Sequence, residues 1–177
     1  LYPIGMAAVL KLSPKNMQGF MMGAWFFTLG LGGSLGGLFG NLAKINKDIA
    51  LLSGDIGNRM FDKFKEVAPQ RFINCGIAEA NMISMAAGMA ITGLRPIVYT
   101  ITPFLIERPF EQIKLDIDQQ NVNVNLVGFA DYPKLGPTHQ ELDAKKLMSM
   151  FKNIKSFFPK NSHETKKATL RLSLIHI

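Results

Sequence analysis

Residues 71–99 read RFINCGIAEANMISMAAGMAITGLRPIVY, and one carboxylate, Glu79, heads an apolar run rich in alanine, glycine and methionine. A carboxylate taken out of water is costly unless it is paired or neutralised. The position therefore points to a task or to a bonded partner; capping of the following helix is the structural alternative. His139, in GPTHQ, is a lone loop histidine, and an exposed, idle side chain is its plain reading. Three scattered histidines and one cysteine form no metal-ligand spacing. The single Cys75 excludes an internal disulfide and fits a reducing compartment.

The surrounding pattern alternates strand and helix. The apolar run from Ile49 to Leu52 ends in Ser-Gly-Asp and reads as a buried strand leading into a loop. Phe61, Phe64 and Val67 give one apolar face to a short helix ending before Pro69. RFINCG is a second strand, Ala78 to Ile91 a helix closed by Gly93, and RPIVYTIT a third strand. Glu107 to Gln119 follows as a helix, and VNVNLVGF as a fourth strand. This alternation predicts an α/β fold, a mostly parallel sheet with helices on both faces. Sites in such sheets form at the carboxyl ends of the strands, where Glu79 falls.

Charge is unevenly distributed. Residues 1–47 hold four lysines, no acidic residue and nine of the 16 glycines, so +4 of the net +7 lies there. The lysines form no stripe and have no interleaved aromatics, which argues against nucleic-acid binding. Gly19 to Ala43 runs 25 residues without a charge, flanked by Lys15 and Lys44. That length spans a bilayer core of about 30 Å, so one membrane span is expected within 17–43. Gly32, Gly36 and Gly40, at four-residue spacing, would make its packing face. A glycine-rich buried helix is the alternative. KLSPKNMQGFMMGAWF, with the upstream YPIG, resembles late transmembrane helices of the proton-coupled oligopeptide transporter family over residues 1–45. One helix and part of another make no transport pathway.

From about residue 46 to 169 a second resemblance takes over. SGDIG, RFINCGIAEANMISMAAGMAITGLRPIVYT, PFLIERPFEQIKLDI and LVGF…LGPTHQ occur in order. Together they resemble the pyrimidine-binding domain of thiamine-diphosphate enzymes of the transketolase group, above all the C-terminal half of split transketolases. The resemblance implies that Glu79 contacts N1′ of the cofactor's aminopyrimidine. There a carboxyl favours the imino form of the 4′-amino group, which activates the thiazolium carbon. It implies further that Phe104 packs on the pyrimidine ring, with core packing as its alternative. Arg108 and Phe110 follow in ERPF, in a segment one residue longer than in some relatives, which leaves open which side chain meets the cofactor. His139 would face a sugar substrate. Asp55 would lie near the cofactor or the partner subunit, or simply cap a strand end. Leu135 stands where full-length transketolases carry an acidic residue, which weakens the substrate contacts implied for that loop. His163 and Glu164 carry no chemistry.

The Gly-Asp-Gly…Asn stretch that binds Mg²⁺ and diphosphate in these enzymes does not occur. The resemblance thus implies a shared cofactor, thiamine diphosphate, with Mg²⁺ held by a partner half, and assembly as a heterotetramer or a dimer of halves. The implied activity is ketol transfer between sugars or sugar phosphates in the cytoplasm, with no turnover by this chain alone. The expected organisation is a transporter-like segment at 1–45, the pyrimidine-binding domain, clipped at both ends, at 46–170, and an adaptor-like tail, LSLIHI, at 171–177. A chimeric reading frame is the reading this supports. A transporter fragment with an unrelated passenger, membrane-bound if the first segment is genuine, and a non-catalytic homologue are the alternatives.

Overall fold

The computed structural model describes residues 36–57, 59–161 and 163–168. Most of the expected span at 17–43 and all of the tail at 171–177 lie outside the described residues.

Four strands form one fully parallel sheet in the order β2-β1-β3-β4. They are β1 (Ile49–Ser53), β2 (Phe72–Asn74), β3 (Arg95–Thr100) and β4 (Asn125–Gly128). The register sets Leu52 beside Ile73 and Val98, and Val98 beside Leu126. Every residue of β1 is buried, as expected of a parallel strand covered on both faces. The pleat sorts its side chains. Ala50, Leu52 and Val98 point into one core, and Ile49, Leu51, Ile97 and Tyr99 into the other.

The helices complete the two layers. Residues 36–45 form a helix, α1, and α2 is Asp62–Val67. Phe39 and Ala43 of α1 join Phe61 and Phe64 on the Leu51 side. Gly36 and Gly40 belong to the spacing expected to make a helix-packing face within a bilayer, and here they admit close contact with the segment around α2. A Cβ on Gly36 would strike the Met60 carbonyl, and one on Gly40 would lie 3.0 Å from Lys63 Cβ. The division expected between residues 45 and 46 falls between α1 and β1, and both lie in one packed body. Among the described residues no helix is long and apolar enough to cross a membrane.

On the opposite face lies α3 (Glu79–Ile91), whose Met82, Ile83, Ala86 and Ala87 press on the sheet. It stops as its sequence suggests: Gly93 takes φ +94°, its N–H reaches Ala90 O, and the Leu94 N–H reaches Met89 O. This paired closure needs a residue that tolerates the left-handed region.

The segment after β3 departs from expectation, which is a single helix over Glu107–Gln119. Instead α4 (Thr102–Ile106) begins earlier, with Pro103 in its first turn, and the chain breaks around Pro109. It then resumes as α5, Phe110–Gln112 running into a π-helix over Ile113–Asp118. The Gln119 N–H bonds Lys114 O across five residues. A π-turn absorbs one residue more than an α-turn. The last helices are α6 (Ala144–Met148), capped by the Asp143 side chain accepting from Lys146 N–H at 3.0 Å, and α7 at 163–168.

Candidate active site

Three loops meet at the carboxyl end of the sheet. The first leaves β2. Asn74 Oδ1 accepts the Gly76 N–H at 3.0 Å, and Gly76 adopts φ +66°. This local turn brings the chain to Glu79, the first residue of α3. Ile77, two residues earlier, is 76% exposed at this rim. The second loop leaves β3 and becomes α4, carrying Phe104 and then Arg108. The Thr102 N–H bonds Ala130 O at 3.1 Å, so the start of α4 crosses the end of β4. Gly128 permits that crossing, because a Cβ there would lie 3.1 Å from Thr102 Oγ1. The third loop leaves β4 and returns through Gly136, at φ +110°, to His139. Tyr132 N–H to His139 O at 2.7 Å closes it.

Four of the residues singled out from the sequence converge. Glu79 is only 6% exposed, and its Oε1 accepts from Arg108 Nη1 at 2.6 Å. The Arg108 side chain is 36% exposed. Its Cζ stands 3.4 Å from the centre of the Phe104 ring. That ring in turn meets the His139 imidazole edge-on, with centroids 4.9 Å apart. The carboxylate, guanidinium, phenyl ring and imidazole therefore form one continuous chain of contacts. Burial makes the Glu79 charge dependent on a partner, and Arg108 supplies it. A planar guanidinium on an aromatic face is a favourable cation–π pair.

The other two candidates lie apart from this chain. Asp55 sits at the end of β1 with φ +57°, unusual for a residue bearing a side chain, and its Oδ1 accepts from Asn74 Nδ2 at 2.9 Å. It shares the sheet's carboxyl edge with Glu79. Phe110 packs against the core on the α3 side, its ring 5.1 Å from that of Phe151.

Two further residues, Glu107 and Asn74, help to build the site. Glu107 accepts the Leu142 N–H at 2.8 Å across 35 residues, tying the loop beyond His139 to the end of α4 beside Arg108. No local pattern marks such a bond. Asn74 is different, since Asn-x-Gly before a helix is a legible side-chain turn. Carboxylates crowd the far side of the His139 loop. Partial burial pushes the Glu141 carboxyl up, and the charges of Asp131, Glu107 and Asp143 add to that. Burial also raises the Cys75 thiol, so it has little thiolate character at the end of β2. No group of three or more potential metal ligands occurs among the described residues.

Comparison with known proteins bears on this arrangement. Residues 31–174 match the family described as transketolase, pyrimidine binding domain. An apulose-4-phosphate transketolase subunit of Actinobacillus succinogenes is 38% identical over 102 residues, which is 56% of this chain and 33% of that protein. The 1-deoxy-D-xylulose-5-phosphate synthase of Macrococcus caseolyticus is 34% identical over 133 residues, 70% of this chain and 20% of the relative. A split-gene transketolase, solved as an inactive beta4 tetramer, superposes with a TM-score of 0.70 at 27% identity, over 79% of this chain and 46% of the other. The chain thus spans a third or less of these two relatives and under half of the solved neighbour.

Proposed function

The chain belongs to the transketolase pyrimidine-binding domain family, and from that premise we propose that it is the aminopyrimidine-binding part of a thiamine-diphosphate-dependent, ketol-transferring enzyme. The observation that carries the reading is the buried Glu79 carboxyl at the sheet's carboxyl edge, linked through Arg108 to the half-buried ring of Phe104. A planar heterocycle with a ring nitrogen and an amino group needs that donor set: a carboxyl out of water and an aromatic face within reach of it. When bound, the cofactor supplies the nucleophilic carbon that carries the transferred unit. Glu79 holds a proton in common with the pyrimidine nitrogen, and burial keeps water from competing for it. Phe104 gives the stacking surface, Arg108 lines the same place, and His139 hydrogen-bonds oxygens of a sugar or sugar phosphate. Asp55, on its strained turn, faces the cofactor or the partner subunit.

In this reading diphosphate and Mg²⁺ fall to another domain, which supplies the Gly-Asp-Gly…Asn stretch that this sequence lacks. That domain comes from a partner half, in a heterotetramer or a dimer of halves. The kinship with one subunit of a transketolase and with a tetrameric split-gene neighbour supports such an assembly. Cytoplasmic residence accords with the unpaired Cys75.

The test is reconstitution with a diphosphate-binding half of a split transketolase, following ketol transfer. Glu79→Ala is expected to lower kcat by about 100-fold or more, the usual worth of a positioned acid–base group. Unchanged turnover in that variant sinks the assignment.

A further inference from the structure

Arg108 makes two contacts that the proposed ligand also needs. Its Nη1 is 2.6 Å from Glu79 Oε1, and its guanidinium carbon is 3.4 Å from the Phe104 ring centre, full stacking contact. The His139 imidazole already borders the same ring at 4.9 Å. A planar group that stacks on Phe104 and bonds Glu79 must take the guanidinium's place. From this we infer that Arg108 is an internal stand-in for the aminopyrimidine, and that the ring enters by exchange with it.

The two groups share a shape but not a charge. Both are flat and lie well on an aromatic face, yet the guanidinium donates N–H to Glu79 whereas the neutral ring nitrogen accepts, so Glu79 takes up one proton from water as the ring replaces Arg108. Their difference sets the direction of exchange. Arg108 follows the end of α4 at Ile106 and precedes the break at Pro109, and its side chain is 36% exposed. It can swing into water and lose little. Glu79 is 6% exposed and cannot be left charged and unpartnered without a large penalty. Departure of Arg108 is therefore coupled to arrival of the ring. Between ligands Arg108 keeps the Glu79 carboxylate paired, and each binding event must break that ion pair. Arg108 thereby weakens cofactor binding and favours its release.

This inference rests on the reading of Glu79 and Phe104 given above, and one experiment separates the two. The probe is 4-amino-5-hydroxymethyl-2-methylpyrimidine, the neutral pyrimidine portion of the cofactor, titrated calorimetrically into the whole chain. Far-UV circular dichroism verifies that each variant is folded. Arg108→Leu is expected to bind the probe about fivefold more tightly than the native chain at low salt, the worth of a half-exposed ion pair. Raising salt to about 1 M should narrow that gap, because screening loosens the ion pair but not the neutral probe. Arg108→Lys, which keeps the charge and loses the plane, should fall between the two. Should Arg108→Leu fail to fold, Arg108→Gln takes its place with the same expected direction. Equal or weaker binding by the neutral variants, with binding lost in Glu79→Gln, overturns the stand-in while leaving the role of Glu79 intact. Native affinity in Glu79→Gln overturns that role, and the stand-in with it. Failure of Arg108→Leu to bind millimolar probe also overturns the inference.

Discussion

Phe104 links the two halves of the site, since Arg108 covers its face and His139 meets it edge-on. Its ring thus has a use that plain core packing does not require. Removing it takes away the stacking surface without touching the carboxylate. In the reconstituted enzyme, Phe104→Ala should weaken thiamine-diphosphate binding by about three- to tenfold, from the 0.5–1.5 kcal/mol that aromatic pairing adds beyond burial. Phe104→Tyr, which keeps the ring, should retain most of the affinity. Equal binding by the alanine variant would mean that the ring serves the fold alone. Glu79 is legible from residue type and setting: a lone carboxylate in an apolar helix start must have a partner or a task. Its partner is not legible, because Arg108 lies 29 residues away and nothing local joins the two.

The strands reveal how the elements hold this edge in place. Thr100 ends β3 wholly buried, and its Oγ1 has no hydrogen-bond partner. It is wedged between neighbouring strand ends. A Cβ on Gly54 would lie 3.1 Å from the hydroxyl, and Thr100 pairs with Gly128 across the ladder. An unbonded buried hydroxyl costs free energy that an isosteric methyl does not. Thr100→Val should therefore raise stability by about 1 kcal/mol, read as a higher urea midpoint at constant slope. A lower midpoint would show that the hydroxyl has a bonded partner. The strands and α3 can be read from the sequence because buried runs, helix periodicity and glycine stops act over a few residues. The segment after β3 cannot. Its length favours one helix, but two prolines and the packing of Ile113 and Ile117 into the core divide it and impose a π-turn.

Across the whole molecule, Arg71 ties three elements together. Its Nη1 donates to Asn46 O at 2.9 Å and Ile49 O at 3.1 Å, and its Nη2 to Ala43 O at 2.9 Å. These carbonyls lie at the end of α1 and the start of β1, where a cation also suits the helix dipole. Arg71→Ala should cost about 2–3 kcal/mol in urea unfolding, the range for hydrogen bonds to a charged group plus exposed carbonyls. Arg71→Lys should recover only part, since an ammonium cannot span three acceptors in one plane. A loss below about 0.5 kcal/mol, the level of an ordinary surface change, would mean that α1 does not depend on this bridge. A glycine-rich composition with no acidic residue sets the stretch up to residue 45 apart from the sheet when only the sequence is considered. Residues 36–45 nonetheless pack on the sheet with α2, and the family match begins at residue 31.

The order of strands and helices, the parallel sheet and the edge at which Glu79 falls were determined by the sequence alone. Each follows from interactions among near neighbours: apolar periodicity, turn residues and caps. The joining of Glu79, Arg108, Phe104 and His139, the packing of Phe110 against the core and the seating of Gly36 against Met60 and of Gly40 against α2 were decided only by tertiary structure. They depend on which distant surfaces the packed sheet brings into contact, and residue spacing along the chain does not encode those distances.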